Sequence, residues 1–441
     1  MAGRPAVKTP GIPAVVSLPI LVVALLGGVA SLLVWRGRTQ PDDWASLWLG
    51  GLLMHKGEGA HLYDRDAVDF SAIVGDAWID AAQEVSSPFP HPFVQNPLFA
   101  TVLSQLTNIM SFETSVLWLL FISGAAVVIF VAASYHLWFH HTMPWGIAAV
   151  VAVVVLAMPT TINSLWLGQT TPLIVAGVAY GLAASRKRPW LAGIVLGLVA
   201  SIKLTPYALI FVMLFFAYRR RAALWALGTT AVLVALMFAT VDVNVIADWI
   251  ERVNEVSGAV LVGAANQSIS AMLAQDLGDS ALLVSVVHDY PPSVKLIPFG
   301  LAIVVAIVTT AVSWWNREYR FELLVSGAWL TATAFSAIVW THYMLMLVTP
   351  VMGLCAMANS RWTKQWPLIG VATVVLMLSF PVTNPIAATP YTSGYLHSGI
   401  AAMVCALVLI IAVGACHAAS QSSKANQPEP MVLFDLFEGR N

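Results

Sequence analysis

The sequence predicts an all-α membrane protein that crosses the bilayer about twelve times. Of its 441 residues, 59% are hydrophobic and only 10% are charged, and the mean hydropathy is +0.80. A soluble domain carries about 25% charged residues, so a chain this apolar belongs in a bilayer. The formal net charge of −1 supplies no overall field that would attract a nucleic acid. We therefore expect membrane lipids among its partners and no nucleic acid.

Clusters of basic residues set the predicted orientation. Lys and Arg are enriched in cytoplasmic loops, which places four clusters on that side: Arg186–Lys187–Arg188, Arg219–Arg220–Arg221, Arg317 with Arg320, and Arg361 with Lys364. With both termini also cytoplasmic, residues 1–419 form one integral membrane domain and residues 420–441 a polar cytoplasmic tail. Arg36 and Arg38 fall on the outer side in this arrangement and depart from the charge rule.

Apolar segments between these clusters are the predicted crossings. Ile12–Leu33 is too long for a cleaved signal peptide and is expected to stay as the first helix. Trp190–Tyr218 has basic clusters at both ends, so we expect it to enter and return as two short helices broken near Pro206. The other predicted crossings are Ser115–Tyr135, Trp145–Pro159, Pro172–Ala184, Ala222–Thr240, Leu296–Trp314, Leu323–Trp340, Met344–Met357, Leu368–Phe380 and Ile400–Val413.

Two long segments are predicted to lie outside the membrane. The first loop covers residues 36–112 and includes Pro97–Met110, which is too short to span and is expected to lie along the membrane surface. The second loop covers residues 241–295. In this arrangement the polar outliers share the outer face: Asp42, Asp43, His91, Asn96, Gln169, Lys203, Asn266, Gln267 and His342. Transporters place such groups near the midplane, so the one-sided pattern favours a chamber at one interface.

Adjacent carboxylates directly follow the first hydrophobic segment. Asp42 and Asp43 are either a solvated helix end or a catalytic base at the membrane surface, because a carboxylate is costly near hydrocarbon. Lys203 in SIKLTP is either a lysine that reaches back to the interface or a cation for a leaving phosphate. A sugar leaving from a lipid phosphate requires a single base, since the phosphate already departs as an anion.

Other polar residues have a structural interpretation beside the functional one. Gln169 in GQTTP either donates to a phosphate or sugar oxygen or belongs to a helix start. His342 in WTHYML and His91 in PFPHPF fit an interfacial residue and a turn. Asn266 begins an NQS glycosylation motif, a weak signal on its own. The three cysteines, Cys355, Cys405 and Cys416, show no metal-ligand spacing, and we predict neither a metal nor a disulfide framework.

Several segments, in their order along the chain, resemble glycosyltransferase family 87. They are DDWASLWLGGLLMHKGEGAHLY, PFVQNPLFA, the run LWLGQTTPLIVAGVAYGLAASRKRPWLAGIVLGLVASIKLTPYALIFVMLFFAYRRR, NQSISAML and WTHYMLMLVTP. Each motif alone is weak, but the series is fairly specific and covers roughly residues 40–350. The resemblance implies a GT-C glycosyltransferase-like fold with an extracytoplasmic first loop that carries juxtamembrane helices.

The resemblance also implies a reaction. The best-known members of the family transfer mannose from polyprenyl-phosphate mannose to a hydroxyl of a glycolipid or lipoglycan, with an α-1,2 linkage and inversion. Asp43 rather than Asp42 matches the family's catalytic Asp. The implied donor-side residues are Lys203, Gln169, His342, Asn266 and Gln267, and the acceptor-side candidates are His91, Asn96 and Trp48. The resemblance implies no cofactor; it does not imply a divalent metal, and it leaves metal dependence open. The expected location is a bacterial plasma membrane, with the site on the extracytoplasmic face.

Departures from the family pattern leave the substrates open. The aromatic–Pro–Pro segment reads Gln95–Asn96–Pro97–Leu98, without one proline and the tyrosine, and Trp48 stands where a tyrosine or arginine is common. A polyprenyl-phosphate arabinofuranose donor therefore remains an alternative. A polytopic transporter or lipid flippase, and a relative that lost catalysis and serves as an assembly subunit, are alternatives of other classes.

Overall fold

The computed structural model describes residues 14–85, 89–263, 265–359 and 398–420. Helices dominate this part of the chain. The first half contains α1 (Leu18–Trp35), α2 (Asp42–Lys56), α3 (Asp76–Ala82), α4 (Pro97–Thr107), α5 (Phe112–Phe139), α6 (Trp145–Leu156), α7 (Pro159–Trp166), α8 (Thr171–Ala184) and α9 (Pro189–Ile202).

The second half adds eight helices and a short hairpin within the described residues. The helices are α10 (Pro206–Leu214), α11 (Arg220–Thr240), α12 (Val243–Gly258), α13 (Ile269–Leu273), α14 (Ser293–Trp315), α15 (Arg320–Ala334), α16 (Val348–Asn359) and α17 (Ser398–Ser420). Single 3-10 turns cover Gly59–His61 and Gln275–Leu277, and a longer 3-10 segment covers Thr341–Leu347. The strands are β1 (Val260–Val262) and β2 (Ser285–Val287).

An all-α polytopic membrane protein is confirmed, whereas twelve crossings are not. Six helical segments of the described chain are long and apolar enough to span, or seven if α6 and α7, bent by 70°, form one span. The six are Leu18–Trp35, Phe112–Phe139, Arg220–Thr240, Ser293–Trp315, Thr341–Ala358 and Ala402–Ala419. Helices α8 and α9 are apolar but shorter. The predicted crossing Leu368–Phe380, the basic pair Arg361 with Lys364 and nearly all of the 420–441 tail lie outside the described residues.

Small residues bring the long helices close together. A Cβ on Gly124 of α5 would lie 2.6 Å from the Gly27 carbonyl oxygen of α1, and one on Gly193 of α9 would lie 2.5 Å from the Ala222 carbonyl oxygen of α11. Such contact between backbones is how membrane helices gain packing energy, since lipid tails are as apolar as their side chains.

The helix pair α9 and α10 confirms the break predicted within Trp190–Tyr218. Helix α9 ends at Ile202, Lys203 is extended with φ −131°, and Pro206 opens α10. Proline lacks an N–H and clashes with the preceding turn, so the chain restarts there as a new helix. The chain thus presents Lys203 at a helix end rather than on a helix face.

Opposite ends of the bundle carry different side chains. At one end, which we name the arginine end, Arg219 donates to the Leu182 carbonyl and lies 3.9 Å from the Glu322 carboxylate. Helix α8 leads from that end to Gln169, and α9 leads to Lys203. The end where Asp43, Gln169 and Lys203 lie is named the Asp43 end below.

Both predicted loops contain more regular structure than the sequence suggested. Residues 36–112 fold as α2, α3 and α4, and α4 confirms the short helix expected in Pro97–Met110. In residues 241–295, the antiparallel pair of β1 and β2 corrects the all-α prediction locally. Four of the six paired residues are valines, whose branched side chains suit a strand.

One predicted crossing is shorter than expected. Leu323–Trp340 continues as helix only to Ala334. The Ser336 Oγ then lies 2.9 Å from the Thr333 carbonyl oxygen and 2.6 Å from that of Ile338, within reach of either for its one O–H. This is the local bonding by which serine competes with a helix. The following segment, Thr341–Leu347, is 3-10 rather than α.

Close packing of α2 on α4 gives a test of the first loop. A Cβ on Gly51 would lie 2.7 Å from the Leu103 Cβ and 3.1 Å from the Ser104 backbone nitrogen. We expect Gly51→Ala to destabilise the protein by about 1–3 kcal/mol, because the partner atoms belong to backbone and Cβ and cannot turn away. Thermal unfolding in detergent, followed by tryptophan fluorescence, measures the loss.

Gly228→Ala is the matched control. Gly228 also lies within a helix, but a Cβ there meets open space, so alanine should gain up to about 1 kcal/mol from its helix propensity. Equal losses from the two variants would contradict the packing described here.

Candidate functional site

Asp42 and Asp43 open helix α2. Their position in its first turn is favourable, since a helix N-terminus carries partial positive charge. Asp42 is 4% exposed and accepts hydrogen bonds from Gln40 Nε2 (2.9 Å) and the Phe89 backbone N–H (3.4 Å). The donors that surround Asp42 fix its carboxylate in the local structure.

A turn between α7 and α8 holds Asp43 from the opposite side. The Asp43 N–H donates to the Leu167 carbonyl at 3.2 Å, and the Gln169 side chain hydrogen-bonds the Asp43 carboxylate. Gly168 makes this possible, because its φ of +69° suits glycine and a Cβ there would lie 2.8 Å from Trp44 Cβ. Gly168 and Gln169 therefore let the turn pack against α2 and place the Gln169 amide beside the Asp43 carboxylate.

Asp43 is half-buried, and its carboxylate lies near His91, Gln169 and Lys203. We name the surface between these side chains the recess. Burial raises the pKa of Asp43 above its usual range, because protein replaces the water that stabilises its charge. The charges of His91 and Lys203 and the hydrogen bond from Gln169 act in the opposite direction. The sequence did not show that His91, Gln169 and Lys203 all lie close to the Asp43 carboxylate; the structure does.

Lys203 faces the same recess from the α9–α10 break. Its Nζ lies 3.2 Å from Thr171 Oγ1 and 3.8 Å from the centre of the Tyr343 ring. Burial lowers the pKa of Lys203 to about 7, and the Asp43 charge opposes that shift. A lysine with such a lowered pKa is only partly protonated near neutral pH. An anion bound beside it would raise that pKa and favour the protonated form.

The 3-10 segment Thr341–Leu347 brings His342 and Tyr343 to the recess. The Thr160 hydroxyl lies 3.3 Å from the carbonyls of Thr341 and His342, and the Thr341 hydroxyl donates to Asn163 Oδ1 at 3.0 Å. His342 is 3% exposed, and its Nε2 has no hydrogen-bond partner within the described residues. A buried polar atom without a partner is costly, so His342 Nε2 is a candidate for a hydrogen bond to a ligand.

Asn266 is placed differently from the donor-side role expected for it. Asn266 is 1% exposed, and its amide donates to the Leu261 carbonyl while its Oδ1 accepts from the backbone N–H groups of Ser268 and Val339. These bonds use the side chain to join the second loop to the segment before His342. They also bury the NQS motif, so Asn266 is not an accessible glycosylation site.

Gln267 accompanies Asn266 in this junction. It is fully buried, and its backbone N–H donates to the Val339 carbonyl at 2.6 Å. This backbone bond, like those of the Asn266 side chain, supports the chain that leads to His342.

The acceptor-side candidates fall into three different places. His91 lies close enough to Asp43 to influence its charge, and its backbone N–H donates to Ser46 Oγ at 2.7 Å. Asn96 caps α4 and donates to the Ser201 carbonyl, so it joins α4 to the end of α9. Trp48 is 4% exposed and packs edge-on against Phe112, with 6.2 Å between ring centres, so it serves the apolar core.

Comparison with known proteins decides the class of this chain. The model of glycosyltransferase family 87 matches residues 93–337, just over half of the chain. The chain belongs to this family. It is therefore a membrane glycosyltransferase of the hexosyltransferase class, which favours catalysis over the transporter alternative. None of the curated proteins matches it.

The matched range has a bearing on the recess. It includes Gln169 and Lys203 but begins after Asp43 and stops before His342. Geometry joins these outlying residues to the family segment, since Asp43 bonds Gln169 and His342 lies in the field of Lys203.

Three residues at the recess were missed as site candidates by sequence reasoning. Thr171 contacts the Lys203 ammonium, Tyr343 offers it a ring face, and Thr160 holds the His342 backbone. Thr171 stands in GQTTP and Tyr343 follows His342 directly, so both motifs contained the signal. Thr160 lies in an apolar stretch that gave none.

Metal binding remains a separate question for this family member. Among the described residues, no group of three His, Cys, Asp or Glu side chains converges as metal ligands would. The expectation that no metal or other cofactor is needed stays a prediction.

The Gly168 turn gives a test of how Asp43 is positioned. We expect Gly168→Ala to cost about 1–3 kcal/mol for the positive φ and a similar further amount for the contact with Trp44 Cβ. The displaced Gln169 should also slow sugar transfer. Thermal unfolding and initial rates measure the two effects.

Gly37→Ala is the matched control for backbone strain. Gly37 has φ +70°, but a Cβ there meets open space, so it should show the strain cost alone and keep the transfer rate. If Gly168→Ala is no worse than Gly37→Ala, the turn does not hold the site as described.

Proposed function

We propose that the protein transfers mannose from polyprenyl-phosphate mannose to a hydroxyl group of a glycolipid or lipoglycan, forming an α-1,2 linkage with inversion. The observation that carries this proposal is the proximity of a half-buried carboxylate, Asp43, and a half-buried ammonium, Lys203, in one recess of a family 87 glycosyltransferase. The reaction needs both charges: a carboxylate to take the proton of the acceptor hydroxyl, and an ammonium to stabilise the departing phosphate.

Asp43 is the base. Its carboxylate removes the proton from the acceptor hydroxyl as that oxygen attacks the anomeric carbon of the sugar. The bond from the anomeric carbon to the phosphate oxygen breaks, and its electron pair leaves with the lipid phosphate. Attack from the face opposite the phosphate converts a β-linked donor into an α-linked product. The raised pKa of Asp43 suits a base, because a more basic carboxylate accepts the proton more readily.

Lys203 and His342 receive the phosphate. Negative charge develops on the departing phosphate, and positive charge or hydrogen-bond donors aimed there lower the barrier. Lys203 is positioned by Thr171 and Tyr343, and the unpartnered Nε2 of His342 lies in its electrostatic field. Gln169 takes a different part from the one its sequence suggested, because its amide hydrogen-bonds Asp43 and so orients the base.

The acceptor approaches from the side of His91. This residue is partly exposed and lies in the electrostatic field of Asp43. An acceptor hydroxyl between His91 and Asp43 would have its proton directed at the carboxylate. Neither group distinguishes a hexose from a pentose acceptor or donor, so polyprenyl-phosphate arabinofuranose is the alternative donor.

The reaction faces the extracytoplasmic side of a bacterial plasma membrane in this proposal. Support comes from the arginine end, where Arg186, Arg219 and Arg320 cluster at the far ends of the helices that lead to Asp43. Basic residues of this kind are enriched in cytoplasmic loops, which supports an outward-facing Asp43 end and the predicted inward orientation of both termini.

Replacing the base tests the proposal directly. We expect Asp43→Asn to lower kcat by roughly 10²–10⁴-fold, the usual range for lost general-base catalysis, while the protein stays folded because the amide has the same shape. Membranes that express each variant are incubated with radiolabelled polyprenyl-phosphate mannose and a mixed glycolipid pool, and label in the glycolipid fraction is measured.

Asp42→Asn is the matched control one residue away. Because the Asp42 carboxylate is engaged by Gln40 and Phe89, its replacement should reduce stability and leave transfer within about tenfold of wild type. The reverse order of effects would make Asp42 the base. Transfer from polyprenyl-phosphate arabinofuranose alone would retain the mechanism and change the sugar.

The charged pair predicts a bell-shaped pH dependence. Rising pH removes the proton from Asp43 and activates the base, and the raised pKa of Asp43 shifts this acid limb above the ordinary carboxylate range. A further rise removes the proton from Lys203, whose pKa is lowered to about 7, so kcat/KM should fall above that pH. Profiles of kcat/KM report the groups of the free enzyme.

Lys203→Arg separates the two limbs. Arginine keeps its proton throughout this range, so the alkaline fall should move to higher pH while the acid limb stays in place, even if the absolute rate is lower. An alkaline limb that does not move in this variant would assign the titration to another group.

A further inference from the structure

A cavity lies at the arginine end, away from Asp43. The cavity measures about 1120 Å³ and is walled by the chain before and within α1, by α5, and by the turns that join α8 to α9 and α10 to α11. Helix α8 lies between Gln169 and Arg186, which is part of the cavity wall. The 14 residues of this helix span about 21 Å. The cavity is therefore distinct from the recess at Asp43.

Positive charge dominates the polar part of its wall. Arg186, Lys187, Arg188 and Arg221 line the cavity, and no acidic residue is among the described residues that line it. The guanidiniums of Arg186, Arg188 and Arg221 take part in none of the ion pairs found in the described chain. Burial, and next the charge of Arg186, lower the pKa of Lys187, as expected where like charges gather.

The charge of the neighbouring Arg219, at the same end, is compensated by other groups of the protein. It donates to the Leu182 carbonyl and the Ser185 hydroxyl and lies 3.9 Å from the Glu322 carboxylate. The cavity arginines differ, since Arg186 is held only over the Tyr218 ring, 5.0 Å from its centre, among the contacts described. The three arginines are exposed and line the cavity, so their charge is available to an anion bound there.

The other part of the wall is apolar and continues onto the lipid-facing surface. Val15, Leu21 and Ile129 line the cavity. On α1, Leu18 and Leu25 are 75% and 55% exposed and extend the same apolar face along the helix. A basic end joined to an apolar groove matches a molecule that has an anionic head and hydrocarbon chains.

We propose that this cavity binds an anionic phospholipid, with its phosphate against Arg186, Arg188 and Arg221 and its acyl chains along α1 and α5. The bound lipid joins α1 to the two basic turns and stabilises their packing. The volume exceeds the upper range of ordinary small-molecule pockets, as a head group with the first part of two chains requires. The inference does not depend on the reaction at Asp43.

The test uses the full chain purified in a neutral detergent. Phosphatidylglycerol and phosphatidylcholine with identical acyl chains are titrated in, and the apparent Kd is obtained from the rise in Tm. Phosphatidylglycerol should bind more tightly to the wild type. The triple variant Arg186→Gln, Arg188→Gln, Arg221→Gln should weaken that binding by at least about tenfold.

A matched triple variant removes the same charge elsewhere. Arg36, Arg38 and Arg220 are exposed and do not line the cavity, so their replacement by Gln should leave the Kd for phosphatidylglycerol within about twofold. Equal weakening in both triple variants, or equal binding of the two lipids by the wild type, would overturn the proposal. Displacement of phosphatidylglycerol by a lower concentration of polyprenyl phosphate would overturn the choice of a phospholipid.

A measurement on the wild type covers the case in which the cavity variant fails to fold. Phosphatidylglycerol with a photoactivatable acyl chain is crosslinked to the protein, and the modified peptides are identified by mass spectrometry. Crosslinks should map to the start of α1 and to the peptide that contains Ile129. Crosslinks confined to residues at the Asp43 end would contradict the site.

Discussion

The proximity of two half-buried, opposite charges, the carboxylate of Asp43 and the ammonium of Lys203, is the constraint on which the Asp43 end depends. A lone charge taken out of water costs several kcal/mol, and removing one member of a buried pair leaves the other uncompensated. Each charge is therefore held by more than its counterpart. Gln169 hydrogen-bonds Asp43, and Thr171 and Tyr343 accompany Lys203. The same arrangement leaves both groups ready to exchange a proton or attract an anion, which separate, well-hydrated groups would not be.

The site is built where helices end. Asp43 opens α2, Gln169 precedes α8, Lys203 follows α9, and His342 lies in a 3-10 segment after α15. Three of these helix ends have a local cause: the positive φ of Gly168, the proline that starts α10, and the serine bonding after Ala334. Side chains on helix faces are needed for packing in the apolar bundle. Interruptions supply the free backbone, the changes of direction and the polar groups that a reaction centre requires.

Much of the fold was predictable from the sequence, because long apolar segments, basic turns and Pro206 act locally. The grouping of Asp43, Gln169 and Lys203 at one end also followed, from the alternation of crossings alone. Asn266 shows where such reasoning stops. Its amide looked like a ligand for a sugar phosphate, but its partners include Val339, which lies more than seventy residues away and carries no signal. The hydrogen bond from Gln169 to Asp43 and the hairpin in the second loop likewise depend on pairings between distant segments. Ser336 is a local cause for the early end of α15. The apolar residues around it nevertheless led us to predict a helix that continues to Trp340.

The joint between Asn96 and the Ser201 carbonyl, like that between Asn163 and Thr341, connects parts of the chain made at very different times. A ribosome delivers the N-terminal helices first, so the segment with Asp43 enters the membrane long before the segment with His342. Until that later segment arrives, Tyr343 cannot cover Lys203 and the recess is incomplete. The order of synthesis therefore leaves the nascent chain inactive in the membrane until nearly all of its helices are in place.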